Sequence, residues 1–209
     1  MPELNHPDRR TVQPREADPE RSEADLLEGC RRGDPGAFEE LVRRHQRQVY
    51  AVAFRFLQNR LEAQEIVQEV FVRVHRALPQ FRGGARLATW LYRITMNACL
   101  DSRRRLTVRR EVPLDVAASE VALDADPLVR AASREFAERV AAALHELPPR
   151  QRATLVLRLY EDLSLQEIAD VLGSPLGTVK ANYHHALTKL RRTLGDLAER
   201  LRHEEEPGG

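Results

Sequence analysis

Residues 163–194 read LSLQEIADVLGSPLGTVKANYHHALTKLRRTL. Ser164 followed three residues later by Glu167 is a capping box, in which the hydroxyl caps one backbone N–H and the carboxylate reaches back to another. Ile168, Ala169 and Leu172 then form the buried face of a short helix. Gly173 stands where a chain leaving that helix needs a positive φ. Ser174-Pro175 starts the next helix, with proline in the first turn. Helix, tight glycine turn, helix is a helix-turn-helix. Such a unit places its second helix in the major groove of DNA.

At 100° per residue, Leu176, Val179, Tyr183, Leu187 and Leu190 fall within about 40° of one line, which is the core line. Thr178, Ala181, His185, Thr188 and Arg192 lie opposite. Gly177, Lys180 and His184 lie on the flank. Hydroxyls, a small residue and imidazoles suit base edges, while Lys180 and Arg192 suit phosphates. Tyr183 belongs to the core by its angle. His184 and His185 point ~100° apart, a poor geometry for sharing a metal.

Outward from this motif, the 209-residue chain is 31% charged, 42% hydrophobic and 5% aromatic. That suits small helical cores. The longest uncharged run is nine residues, Val171 to Val179, too short for a membrane span of ~20. The N-terminus carries no apolar stretch of the secretion type. Cys30 and Cys99 stand far apart with no CxxC or Cys/His cluster, so neither a disulfide framework nor a zinc ribbon is expected. A reducing cytoplasm is the expected compartment. The net charge is +1, but residues 24–106 carry +6, residues 148–202 carry +3 and the rest −8. Two basic blocks set in acidic segments are compatible with a nucleic-acid partner, and equally with uneven solvation of helix surfaces.

Residues 1–21 hold four prolines and read as a disordered tail. Ser22 caps a short helix ending near Gly33, and Asp34-Pro35 starts a long one. Helices fit 62–77 and 87–105, with Pro79 and Gly83-Gly84 between them. The acidic stretch 107–127 reads as a flexible linker. Helices fit 128–146, 150–161, 165–172 and 175–194, and 203–209 is a second disordered tail. The expected fold is all-α: a first domain over 22–106, the linker 107–127, and a helix-turn-helix domain over 128–202.

Two surfaces of the first block bear on function. Glu65, Gln68, Glu69, Val72 and Arg76 share a ~100° arc opposite the core of their helix. A valine amid polar residues fits a protein contact, but a solvated face with one harmless valine fits as well. After it comes PQFRGGARLATWLYRITMNACLDSRRR. Trp90, Asn97, Asp101 and Arg104 form a stripe edged by Arg93, readable as a polar network that fixes the helix or as a nucleic-acid surface. Arg82, Arg86 and Arg93 interleave with Phe81, Trp90 and Tyr92, the mixture that stacks single-stranded bases and pairs phosphates. A glycine loop also admits a flipped base. No nucleophile–base pair, phosphate loop or metal cluster is legible. No enzyme, cofactor, metal or small-molecule substrate is therefore expected.

In AQEIVQEVFVRVHRAL and FRGGARLATWLYRITMNACLDSRRR the chain resembles region 2 of bacterial extracytoplasmic-function (ECF) sigma factors. In LPPRQRATLVLRLYEDLSLQEIADVLGSPLGTVKANYHHALTKLRRTL it resembles their region 4. The resemblance covers about residues 24–106 and 145–195. It implies a factor that binds core RNA polymerase and directs promoter recognition, melting and initiation. The helix over 62–77 would dock on the β′ clamp helices through Glu65, Gln68, Glu69, Val72 and Arg76. The loop and helix start, with Phe81, Arg82, Gly83, Gly84, Ala85, Arg86, Trp90, Arg93 and Asn97, would meet the melting −10 element. The helix over 175–194 would read the −35 element, with family contact positions at Lys180, Ala181, His184 and His185, and region 4 would also meet the β flap. An anti-sigma partner, often membrane-bound, would hold the factor inactive.

The sequence departs from the family pattern in places. Asp is frequent where Gln64 or Glu65 stands, and Trp where His75 stands. The loop often has Asp or Asn and Ser where Gly84 and Ala85 stand, and Phe where Leu87 stands. Arg is frequent at the positions of Asn182, His185 and Thr188. Fewer cations there weaken phosphate anchoring and alter −35 choice. An operator-binding helix-turn-helix regulator is the alternative; it accounts for the C-terminal motif but not for the basic, aromatic loop region.

Overall fold

The computed structural model describes residues 21–81, 86–109 and 139–204. Among these the elements are helical. α1 spans Glu23–Arg31 and α2 spans Pro35–Leu57. α3 spans Arg60–Ala77, followed by a 3-10 turn at Leu78–Gln80. α4 spans Leu87–Arg109, residues 139–145 form α5, and α6 spans Pro149–Tyr160. α7 spans Leu165–Leu172 and α8 spans Leu176–Glu204.

Short polar side chains set the helix starts. Ser22, Asp34 and Asn59 accept from the backbone N–H of Asp25, Gly36 and Glu62. Each satisfies an amide that the first turn leaves without an intrahelical partner. Gln58 closes α2 in the left-handed region, at φ 57°. α1 and α2 touch at Gly29, where an added Cβ would lie 2.7 Å from Cβ of Ala37.

Two helices run past their expected ends. α4 continues to Arg109, into the segment read as a linker from 107. Nothing in 106–109 breaks a helix; the first proline beyond it is Pro113. α8 continues to Glu204 rather than stopping near 194, so His203 and Glu204, read as tail, are helical. Gly195 alone costs only ~1 kcal/mol in a helix, and good helix formers follow it. Residues 1–20, 110–138 and 205–209 lie outside the described residues, and with them most of both expected tails, the remaining linker and the first part of the 128–146 helix.

The helices of the two blocks pack on one core. Leu41, Val52, Phe56, Val70, Val74 and Met96 from α2, α3 and α4 are fully buried. Val156, Leu157, Ile168 and Val179 from α6, α7 and α8 join the same cluster. A smaller cluster of Ala143, Leu144, Leu147, Leu155, Ala186 and Leu190 binds α5, α6 and α8 together. α6 is the shared element: Arg152 through Leu157 are all buried, so it is covered on all sides. A helix that is apolar nearly all round must be enclosed in this way.

Candidate nucleic-acid interface

The helix-turn-helix is built as its residues dictate. Ser164 Oγ accepts from the Glu167 N–H at 3.2 Å, and Glu167 accepts from the Ser164 N–H at 2.8 Å. The Ser164 amide and hydroxyl, with Arg86 nearby, hold the Glu167 carboxyl below its ordinary pKa. Gly173 takes φ 57°, where a Cβ would be strained. Val179 at 0% and Leu190 at 9% exposure anchor α8, and Ala186 at 0% joins them.

Thr178, Lys180, Ala181, His184, His185, Thr188 and Arg192 all face solvent. The Thr188 hydroxyl donates to the carbonyl of His184 at 3.0 Å, which leaves its lone pairs outward. His184, His185, Thr188 and Arg192, with Gln151 of α6, line an open groove of about 440 Å³. Lys189 also lines it, and its ammonium donates to the Glu146 carbonyl at 2.8 Å. Polar tips and a cation along one exposed face suit a groove of duplex DNA.

Arg86, just before α4, and Arg93 and Asn97 on it are exposed, and Trp90 is half-buried. Arg82, Gly83, Gly84 and Ala85 lie outside the described residues. Two aromatics expected to stack on bases are placed otherwise. Phe81 is 8% exposed, and its ring sits 4.8 Å from that of Trp90, so it props the indole. Tyr92 is 6% exposed and turns inward to Glu161. The polar network weighed for this stripe exists at its far end: Asp101 lies 3.6 Å from Arg73 and 3.9 Å from Arg104.

On α3, Glu65, Gln68, Val72 and Arg76 are exposed, Val72 by 50%. Glu69 is less free, because it pairs with Arg73 at 2.5 Å and Arg105 at 3.5 Å. It braces α3 against α4 rather than standing open. Beside Gln68 an open groove of about 400 Å³ runs between α2 and α3, lined by Tyr50, Gln64 and Val67 among others.

The Sigma-70 region 2 family model matches residues 41–109, and that of Sigma-70 region 4 matches residues 143–192. The chain is 37% identical over 179 residues to the ECF RNA polymerase sigma factor SigM of Mycobacterium tuberculosis, covering 85% of this chain and 87% of that one. It is 32% identical to SigW of Bacillus subtilis, covering 82% of this chain and 96% of the relative. Among solved structures, that of CnrH in complex with the cytosolic domain of CnrY matches with TM-score 0.60 and 26% identity, over 82% of this chain and 96% of that one. The chain belongs to the ECF RNA polymerase sigma factors.

The exposed α8 and α3 faces of this sigma factor lie in its region 4 and region 2 matches. The residues joining those regions are ones that motif reading missed. Glu161 closes α6, and Asp162 after it takes φ 50°. The Glu161 carboxylate, with its side chain 7% exposed, accepts from Arg55 at 3.0 Å. It also accepts from the Tyr92 hydroxyl at 2.5 Å, and Tyr92 in turn accepts from Gln48. Burial, and then Glu161, push the Tyr92 phenol above its ordinary pKa. Arg152 donates from the region 4 side to the Phe56 carbonyl at 3.0 Å. The available signal was the run ATLVLRL at 153–159, too apolar for a helix with one wet face.

No helix among the described residues is long and apolar enough to cross a membrane.

Proposed function

We propose that this sigma factor docks on the β′ clamp helices of core RNA polymerase through Glu65, Gln68, Val72 and Arg76, with Glu69 bracing that face. Val72 carries the reading. Its helix neighbours Val70 and Val74 are fully buried, whereas Val72 is 50% exposed amid charged groups. A lone apolar residue in a polar rim has the composition of a small interface centre. A regulator that needs only DNA has no use for this second face.

In the same reading α8 meets the −35 duplex. Ala181, His185 and Thr188 approach base edges, Lys180 and Arg192 approach phosphates, and region 4 also meets the β flap. Arg86, Trp90, Arg93 and Asn97, with the loop at 82–85, hold the melted −10 strand. Unstacking costs a few kcal/mol per base, and stacking on an aromatic returns ~1–3. The factor performs no covalent chemistry; its work is binding energy delivered in the cytoplasm. An anti-sigma factor controls it, by analogy with the sigma factor RpoE of Bartonella quintana, solved in complex with the anti-sigma factor NepR.

Run-off transcription from a genomic promoter library, with core polymerase with and without the protein, tests this reading. New sequence-specific starts should require the protein. A Val72→Asp chain of unchanged helicity should lose them. Specific binding to duplex DNA with no new starts would replace this reading with that of an operator-binding regulator.

A further inference from the structure

The α4 face assigned above to the −10 strand is engaged by region 4 at Arg93 although its polar side chains remain exposed. Arg86, Trp90 and Arg93 follow at steps of four and three and so share one side of α4. The first helix of the helix-turn-helix lies against that side. Arg93 donates twice to the carbonyl of Asp170 in α7, at 3.0 Å and 2.5 Å. Arg86 stands close enough to Glu167 to stabilise its carboxylate. Ile168, Ala169, Val171 and Leu172 of α7 complete the shared core. Arg93 stays exposed, but its two donors are spent on the α7 carbonyl and are not free for a phosphate.

We propose that the chain latches itself closed, with Glu161 as the catch, and that this closure masks the α4 strand-binding face without any partner protein. The inference rests on the reading of α4 given above. Among the described residues, Glu161 reaches three region 2 side chains: Arg55, Tyr92 and Gln48. Its burial distinguishes it from the more exposed pairs within single helices, such as Arg43–Glu40 of α2 and Arg31–Glu28 of α1. Exposed pairs contribute little, whereas removing one partner of a buried pair leaves an uncompensated charge. The arrangement suits a catch: strong while dry, and weakened once the seam opens and water enters.

The test uses the full chain and two variants outside the proposed binding faces, Glu161→Ala and Arg55→Ala. One alters region 4 and the other region 2, so a folding defect in either block does not decide the outcome. Trp90 is the only tryptophan of the chain, and it lies on the masked face. Its quenching by acrylamide reads that face directly, and small-angle scattering reads the separation of the blocks. Both variants should expand, and their Trp90 should become more accessible. Protein needed for half-maximal run-off transcription should fall on the order of tenfold, as the binding-competent fraction rises. Variants as compact and as poorly quenched as the parent overturn the latch. Variants that expand and expose Trp90, yet transcribe at unchanged half-saturation, overturn the masking. If that occurs while Val72→Asp still abolishes transcription, the sigma assignment stands and only the role of α4 falls.

Discussion

Replacing Arg152 by methionine should destabilise the fold by about 3–4 kcal/mol. Arg152 is 1% exposed, and its guanidinium donates to three carbonyls. Phe56 is reached at 3.0 Å and Leu147 at 3.3 Å, with His145 as the third acceptor. Those carbonyls stand at the ends of α2 and α5, where helix geometry leaves the last four without intrahelical partners. A cation there also meets the negative ends of two helix dipoles. Methionine keeps the apolar stem against Phe56 but donates nothing. Hydrogen bonds from a charged donor contribute ~1.5–3 kcal/mol each, so three contribute ~4.5–9. Against this, burial first, and then Arg103, lower the Arg152 pKa to about 10 from 12.5. At ~1.4 kcal/mol per unit that is a cost of ~3.5 kcal/mol, which methionine removes. The difference spans ~1–5.5 kcal/mol, and bonds that share one group do not add fully, which excludes its upper end. Urea unfolding followed by far-ultraviolet circular dichroism measures it. Because Arg152 ties α6 to α2 across the blocks, the single transition should also broaden or split. Arg152→Lys, whose ammonium reaches one helix end, should fall between the two. A loss below about 1 kcal/mol in an unsplit transition would refute the reasoning.

Three further outcomes follow from other sites. Burial, then Arg152 and Arg103, push the pKa of His145 down to about 4, so the folded chain keeps it neutral while the unfolded chain protonates near 6.5. The unfolded state then binds more protons as pH falls, and stability should drop by ~2–3 kcal/mol between pH 6.5 and 4. His145→Gln should flatten most of that fall in urea midpoints; an unchanged slope places its origin elsewhere. Gly29→Ala drives a Cβ to 2.7 Å from Ala37, so thermal unfolding should show a loss of ~1–2 kcal/mol that Ala37→Gly partly restores. Lys180→Ala should lower affinity for −35 duplex across sequences and shallow the salt dependence by about one phosphate contact. A selective loss at one base position would instead make Lys180 a base reader.

Local chemistry was legible in advance. The Ser164–Glu167 box, the left-handed turn at Gly173 and the Asp34-Pro35 start are short-range events, settled among neighbours in sequence. The periodicity of α8 separated buried Val179 and Leu190 from exposed Thr178, Ala181 and His185 for the same reason. Val72 could be seen as an exception on its face, but its 50% exposure needed the packed helix. Helix ends were less legible, because α4 and α8 run on until something stops them, and a change in composition is not a stop.

What the sequence by itself determined is two all-α blocks, a helix-turn-helix and two outward faces of distinct chemistry. What only the tertiary structure decided is how the blocks meet. An apolar side chain on α6 or α7 has the same periodicity whether it faces its own block or the other. Glu161, between a tyrosine and Asp162, gives no local hint that Tyr92, Gln48 and Arg55 await it, and these lie 69 to 113 residues away. Contacts at that distance depend on where the helices are carried, which no window of sequence contains. Hence Tyr92 and Phe81, read as surface stackers, belong to the interior, and Arg152, in a basic run, bridges two helix ends.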